Sequence, residues 1–172
     1  MSKLKFVQIH KDNAQQFETA SKLWLPFTQE LNSHDGKIQD NIQIVDGLRK
    51  RISIQGLRED MHFELAYSDD EAIGIAMFAI DLGTVYGLLE KGYGTVMGFY
   101  IHPNYRRKGF GSEFWTHIEA TLRADGASKF YVCPDAVTGV PFWTRLGFTD
   151  SGKIDPDEQK PIYIKAINAK KK

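Results

Sequence analysis

The chain has one cysteine, Cys133, so no intramolecular disulfide can form and a reducing compartment suits it. Lys and Arg number 22 against 22 Asp and Glu, so the formal net charge is zero. No global field therefore attracts nucleic acid or an anionic membrane surface. No apolar run is long enough to span a bilayer, and residues 1–3 carry no signal-peptide pattern. His62 forms no metal-ligand spacing with another His or Cys, so no metal is expected. Repeats, linkers and low-complexity segments are also missing. The expectation is one cytoplasmic domain over residues 1–172, with no nucleic-acid and no membrane partner.

Two phosphate-binding fingerprints are absent as well. There is no Gly-x-x-x-x-Gly-Lys followed by Ser or Thr, and no Gly-x-Gly-x-x-Gly. What the chain has instead lies in residues 95–112. Thr95, Val96, Phe99, Tyr100 and Ile101 read as a strand, and His102-Pro103-Asn104 ends it. Arg106, Arg107 and Lys108 follow, then Gly109-Phe110-Gly111 and a helical face of Phe114, Trp115, Ile118 and Leu122. A helix start offers unpaired N–H groups and the positive end of the macrodipole. Glycines let an anion approach that backbone, and the cations neutralise it. The order suits a phosphate or pyrophosphate; the competing reading of the basic trio is a solvated turn.

Around this stretch the elements run β-α-α-β-β-β-α-β-α-β-β, an α/β domain with a mixed, mostly antiparallel sheet. Residues 4–9 alternate as a first strand. Asp12-x-x-Gln15 is a candidate capping box, and Phe17, Ala20, Trp24, Phe27 and Leu31 mark a helix that Pro26 should kink or interrupt. After a polar break at 32–36, Ile38, Ile42, Val45, Leu48 and Ile52 form a second helical stripe ending near Gly56. Residues 61–67 and 72–80 read as strands, the latter apolar enough to be central. Residues 81–94 hold four glycines plus Tyr86, Leu88, Leu89 and Tyr93, read either as a lid or as a packed hairpin. Strands at 129–133 and 161–167 flank a short helix around Phe142, Trp143 and Leu146.

Arg106-x-x-Gly109-x-Gly111 resembles the Arg/Gln-x-x-Gly-x-Gly/Ala signature of the GNAT N-acetyltransferases. The preceding Ile-His-Pro-x-Tyr-Arg is similar to that family's strand end. Phe142-Trp143-Thr144-Arg145-Leu146-Gly147-Phe148 resembles its Phe-Tyr-x-x-Leu-Gly-Phe segment. The resemblance implies a GNAT fold of six to seven strands with about four helices, and acetyl-CoA as co-substrate. It places the pyrophosphate on Arg106, Arg107, Lys108, Gly109, Phe110, Gly111 and Ser112. The pantetheine would pair with Phe99 and Ile101, with Gly98 as a bulge residue and the first helix pair over the acceptor. Phe142 and Trp143 would pack on the cofactor, against the reading of Trp143 as plain core.

The implied reaction is direct attack of a primary amine, from a small molecule or a peptide, on the acetyl thioester. The amine must be neutral and the oxyanion stabilised. The sequence departs from the family where that chemistry needs an acid. The helix tyrosine is replaced by Trp143, whose indole only donates, and an upstream asparagine by Ala136 beside Asp135. No carboxylate stands at Met97-Gly98, which leaves Glu64 as the candidate base, against the reading that it faces solvent. Tyr131, Cys133 and His102 read as structural. Asp69, Asp70, Glu71, Asp81 and Glu90 point to a cationic acceptor or to solvated turns. A homodimer is compatible with all of this. The alternative function is a non-catalytic acyl-CoA-binding sensor or interaction module on the same fold.

Overall fold

A computed structural model describes residues 3–54, 60–83 and 92–167. The strands are β1 (Lys5–Gln8), β2 (His62–Ser68), β3 (Glu71–Ile80), β4 (Tyr93–Ile101), β5 (Lys129–Val132), β6 (Thr149–Ile154) and β7 (Pro161–Ala166). The helices are α1 (Ala14–Asp35), α2 (Asn41–Ile54), α3 (Phe110–Ala124) and α4 (Gly139–Arg145), with a 3-10 turn at Pro103–Tyr105. The strands form one mixed sheet in the order β1-β2-β3-β4-β5-β7-β6. β4 and β5 run parallel, while β1–β2, β2–β3, β5–β7 and β6–β7 are antiparallel. The element order is the one the periodicities predict. The expected helix end at Gly56, the segment 84–91 and the basic tail 170–172 lie outside the described residues.

The chain divides into two compact units, Met1–Phe78 with Gly98–Ile118, and Ala79–Met97 with Glu119–Lys172. In the first unit, strand alternation sorts side chains onto two helical layers. Phe63 and Tyr100 meet α1, with Trp24–Phe63 ring centroids at 5.4 Å and Phe27–Tyr100 at 5.4 Å. Phe6 and Phe99 point to the other face and meet Phe114 of α3, at 5.2 and 5.4 Å. A Cβ built on Gly98 would lie 2.9 Å from Trp24 Cη2. Glycine at that position therefore lets the indole close on the strand. A register shift in this unit lies in the β2–β3 ladder, where Ala66 faces Gly74 and Tyr67 faces Ala72, so Ile73 of β3 is the extra residue.

Three helix details differ from the sequence expectations. The cap of α1 is Asn13, whose side chain accepts the Gln16 N–H at 3.0 Å. Gln16 accepts the His10 N–H at 2.8 Å and the Asn13 N–H donates to the His10 carbonyl at 3.0 Å, so Asn13 is a simple N-cap in place of the expected Asp12-x-x-Gln15 box. α1 also runs unbroken through Pro26 and the polar stretch to Asp35, where Gly36 ends it at φ +68. Pro26 removes one ladder bond. Leu23, Trp24 and Phe27 are buried around it, and each such side chain contributes about 1.5–3 kcal/mol, enough to hold the turn.

α2 starts with a reciprocal box, in which Asp40 accepts the Gln43 N–H at 2.8 Å and Gln43 accepts the Asp40 N–H at 3.0 Å. Its buried stripe is Ile44, Leu48 and Ile52. The expected Ile38 and Ile42 are 97% and 74% exposed, because Ile38 precedes the helix and Ile42 lies in its first turn on the outer side.

In the second unit, Gly94 lets β4 pack where a Cβ would stand 3.0 Å from Leu122 and Phe130. Asp81 is 1% exposed and accepts the Tyr131 hydroxyl at 3.0 Å and the Gly83 N–H at 2.6 Å. It is a buried structural acid, not part of a solvent-facing acidic patch. Asp135 accepts the Thr138 N–H and hydroxyl at 2.8 and 2.7 Å, pinning the turn before α4. Gly147 ends that helix at φ +98.

Candidate active site

The approach to α3 is built from the end of β4. The His102 N–H donates to the Ile73 carbonyl at 2.7 Å, and His102 Nδ1 accepts the Asn104 N–H at 3.2 Å. Pro103 then sets the 3-10 turn, and Arg106 returns to extended backbone. Arg107 (φ +62) and Gly109 (φ +85) are left-handed, so the chain turns twice before Phe110 opens α3. A left-handed non-glycine costs about 1 kcal/mol, which the surrounding contacts must over-determine. A Cβ at Gly109 would meet nothing within 4 Å, so this backbone faces open space. The first α3 bond runs from the Glu113 N–H to the Gly109 carbonyl at 3.1 Å. The extended Arg106 followed by the left-handed Arg107 and Gly109 leads the chain into the start of α3, whose first N–H groups have no intrahelical partner.

The side chains of the basic trio divide. Arg107 and Lys108 are exposed, with the Lys108 ammonium 5.7 Å from the Tyr105 ring centre. Arg106 is partly buried, donating from Nη1 and Nη2 to the two Glu30 oxygens, each at 2.8 Å. Its Nε donates to the Ile101 carbonyl at 2.8 Å, and its guanidinium lies 5.3 Å over the Tyr100 ring. The Glu30 bond raises the guanidinium pKa further. Burial raises that of the Tyr100 phenol, with Arg106 acting against it. Beside the loop, Glu71, Ala72, His102, Asn104, Tyr105 and Lys108 line a cavity of about 410 Å³. The Tyr105 hydroxyl donates there to the Glu71 carboxylate, which raises the phenol pKa.

The model of the acetyltransferase (GNAT) family matches residues 19–148. The chain belongs to that family. No curated protein matches it. Solved structures share the fold of this GNAT chain at low sequence identity. An acetyltransferase from Thermus thermophilus is 12% identical with a TM-score of 0.73, over 97% of this chain and 100% of that one. The PaiA N-acetyltransferase from Thermoplasma acidophilum, solved with coenzyme A, is 16% identical with a TM-score of 0.69 over 97% and 100%. A GNAT acetyltransferase from Brucella melitensis, solved with acetyl-CoA, is 13% identical with a TM-score of 0.61 over 98% and 91%.

The remaining candidates fall as follows in the GNAT chain. Phe99 is half-buried against Phe114, and Ile101 is buried with its carbonyl engaged by Arg106. Phe142 and Trp143 belong to the second unit; Trp143 is 5% exposed and sits edge-on to Phe148 at 5.2 Å, so it is core. Glu64 does not face solvent, which was the competing reading to that of a base. It is 7% exposed, with Oε1 2.7 Å from His117 Nε2 and Oε2 3.9 Å from His62 Nδ1.

His117 itself stacks on Phe6 at 3.9 Å, and one turn before it Glu113 accepts the Leu4 N–H at 2.7 Å. His117 lies seven residues into α3, about 10 Å along the axis from the helix start. The pair fastens α3 to β2. Sequence reasoning missed His117; its signal was its i,i+4 relation to Glu113 beside the apolar stripe. Cys133 is a poor nucleophile, since burial pushes its thiol up to about 12. Among the described residues no group of three His, Cys, Asp or Glu is placed to hold a metal, and no helix is long and apolar enough to cross a membrane.

Proposed function

We propose that this acetyltransferase moves the acetyl group of acetyl-CoA to a primary amine of a small molecule or peptide by direct attack. The observation that carries the reading is the double left-handed turn at Arg107 and Gly109, opening directly onto the start of α3. Such a turn presents several N–H groups to one anion, and the helix start adds its dipole. The residues fit a pyrophosphate. Arg107 and Lys108 supply cationic charge at the rim, and the open space over Gly109 leaves room for the anion against backbone. The Phe110, Gly111 and Ser112 amides complete the cradle, and Phe99 and Ile101 of β4 supply backbone for the pantetheine arm. The relatives solved with coenzyme A and acetyl-CoA support the choice of co-substrate.

Acetyl-CoA brings an activated thioester, and its thiolate is a competent leaving group without a protein acid. The chain's part is to bind, to align the amine with the carbonyl and to keep competing water out. Alignment alone can supply several kcal/mol of a transfer barrier, so the buried Trp143 at the family's tyrosine position is compatible with turnover.

The test is calorimetric titration with acetyl-CoA, followed by thiol release across a panel of amines. Binding with turnover is the expected result; binding without turnover would replace the enzyme with an acyl-CoA-binding module. Gly111→Asp supplies the control. Its carboxylate would face the pyrophosphate at the helix start, where a short acidic residue is tolerated in the fold. Acetyl-CoA binding should fall below detection while the melting temperature stays within a few degrees of wild type. Unchanged affinity would mean the anion binds elsewhere.

A further inference from the structure

Arg106 heads the phosphate-binding signature, yet three of its five N–H donors are turned into the protein. We infer that Glu30 and Arg106 form a positioning pair that sets the shape of the acetyl-CoA loop from α1, and that Glu30 acts on cofactor binding through Arg106. The inference rests on the function proposed above and adds a residue from outside the signature.

The geometry is that of a strut. The Glu30 carboxylate receives the guanidinium in a parallel two-bond fork, the arrangement that fixes orientation as well as distance. The third bond, Nε to the Ile101 carbonyl, ties the same group to the last residue of β4. The Tyr100 ring lies beneath it, 5.3 Å from ring centre to Cζ, and itself packs on Phe27, one turn before Glu30 on α1. The guanidinium is thus held by three partners of one compact unit, Glu30, Ile101 and Tyr100. Arg106 is also the residue directly before the left-handed Arg107, so holding it fixes where the strained turn begins. Side-chain exposures of 32% for Arg106 and 27% for Glu30 shelter the pair from full screening. With Glu30 neutralising Arg106, the charge offered to an anion comes from Arg107 and Lys108.

This assignment makes a prediction opposite to simple electrostatics. Removing the Glu30 charge beside an anion site should tighten anion binding by Coulomb's law. If the pair positions the loop, Glu30→Gln should weaken acetyl-CoA binding instead, by about tenfold in Kd and KM, with kcat at saturation within about twofold. Arg106→Lys keeps the charge and loses the fork, so it should weaken binding to a similar degree. The double variant should cost little more than either single one, because both break one contact.

A role confined to fold stability would lower the melting temperature and the active fraction and leave KM unmoved. Tighter or unchanged acetyl-CoA binding by Glu30→Gln would overturn the inference. Should that variant be too unstable, Glu30→Asp withdraws the carboxylate by one methylene at constant charge and must also weaken binding; wild-type affinity there would overturn it as well. Failure of the wild-type protein to bind acetyl-CoA would overturn the proposed function itself, and is read in the same titration.

Discussion

At the residue scale, the buried Glu64 and the half-buried Cys133 bear on how the protein responds to substitution and pH. Glu64 gives up hydration for a bond to the half-buried His117, and truncating it loses that bond and leaves its buried place unfilled. Glu64→Ala should lower unfolding stability by about 1–3 kcal/mol in urea titration. A hundredfold fall in kcat at unchanged stability would instead support Glu64 as the base. Cys133 has a thiol raised from 9.0 to about 12, by burial first and by Asp155 and Glu158 next. Above pH 9 the unfolded chain loses this proton while the folded chain keeps it, so the unfolded state binds fewer protons and stability falls as pH rises toward 12. Cys133→Ala should flatten that alkaline decline in melting temperature, and the native thiol should react slowly with iodoacetamide at pH 8. Glu64 shows the limit of reading single residues. A carboxylate within an apolar strand reads as solvent-facing or functional, and no local pattern announces that His117 of α3 meets it.

At the element scale, packing distances carry the predictions. The Cβ of a Gly98→Ala variant would stand 2.9 Å from a rigid indole, so β4 or α1 must shift, at about 1–3 kcal/mol. Trp24→Leu in the same chain should cost less than the sum of the two single changes, read as a non-additive shift in the urea midpoint. Elements were legible wherever periodicity is long. The stripe of α3 and the continuous apolar run of β3 give both type and extent. Caps and exceptions were less so. Asp12 and Asn13 offer the same chemistry one residue apart, and only the position of the Gln16 amide selects Asn13. Pro26 looks like a breaker in sequence because the burial of Leu23, Trp24 and Phe27 that sustains α1 around it is a tertiary fact. That the chain turns ahead of α3 was legible from its glycines. The inward commitment of Arg106 to Glu30, 76 positions earlier, was not.

For the whole molecule, the family and the sheet order agree with the motif at residues 106–111 and the helix-then-strand spacing to Phe148, all readable in a linear chain. What the sequence hides is how the chain is apportioned. Each compact unit is interrupted by the other, with the changes falling inside β3, β4 and α3. A ribosome synthesising this chain therefore cannot finish either unit in one continuous stretch. The first strand emerges early, yet the Leu4 N–H must wait 109 positions for Glu113, and Glu64 waits 53 for His117. A nascent chain arrested before Glu113 would hold α1, α2 and the strands β1 to β4 with Phe6 and Phe99 bare of their α3 partner, a surface for chaperones to cover until the remaining helix is translated.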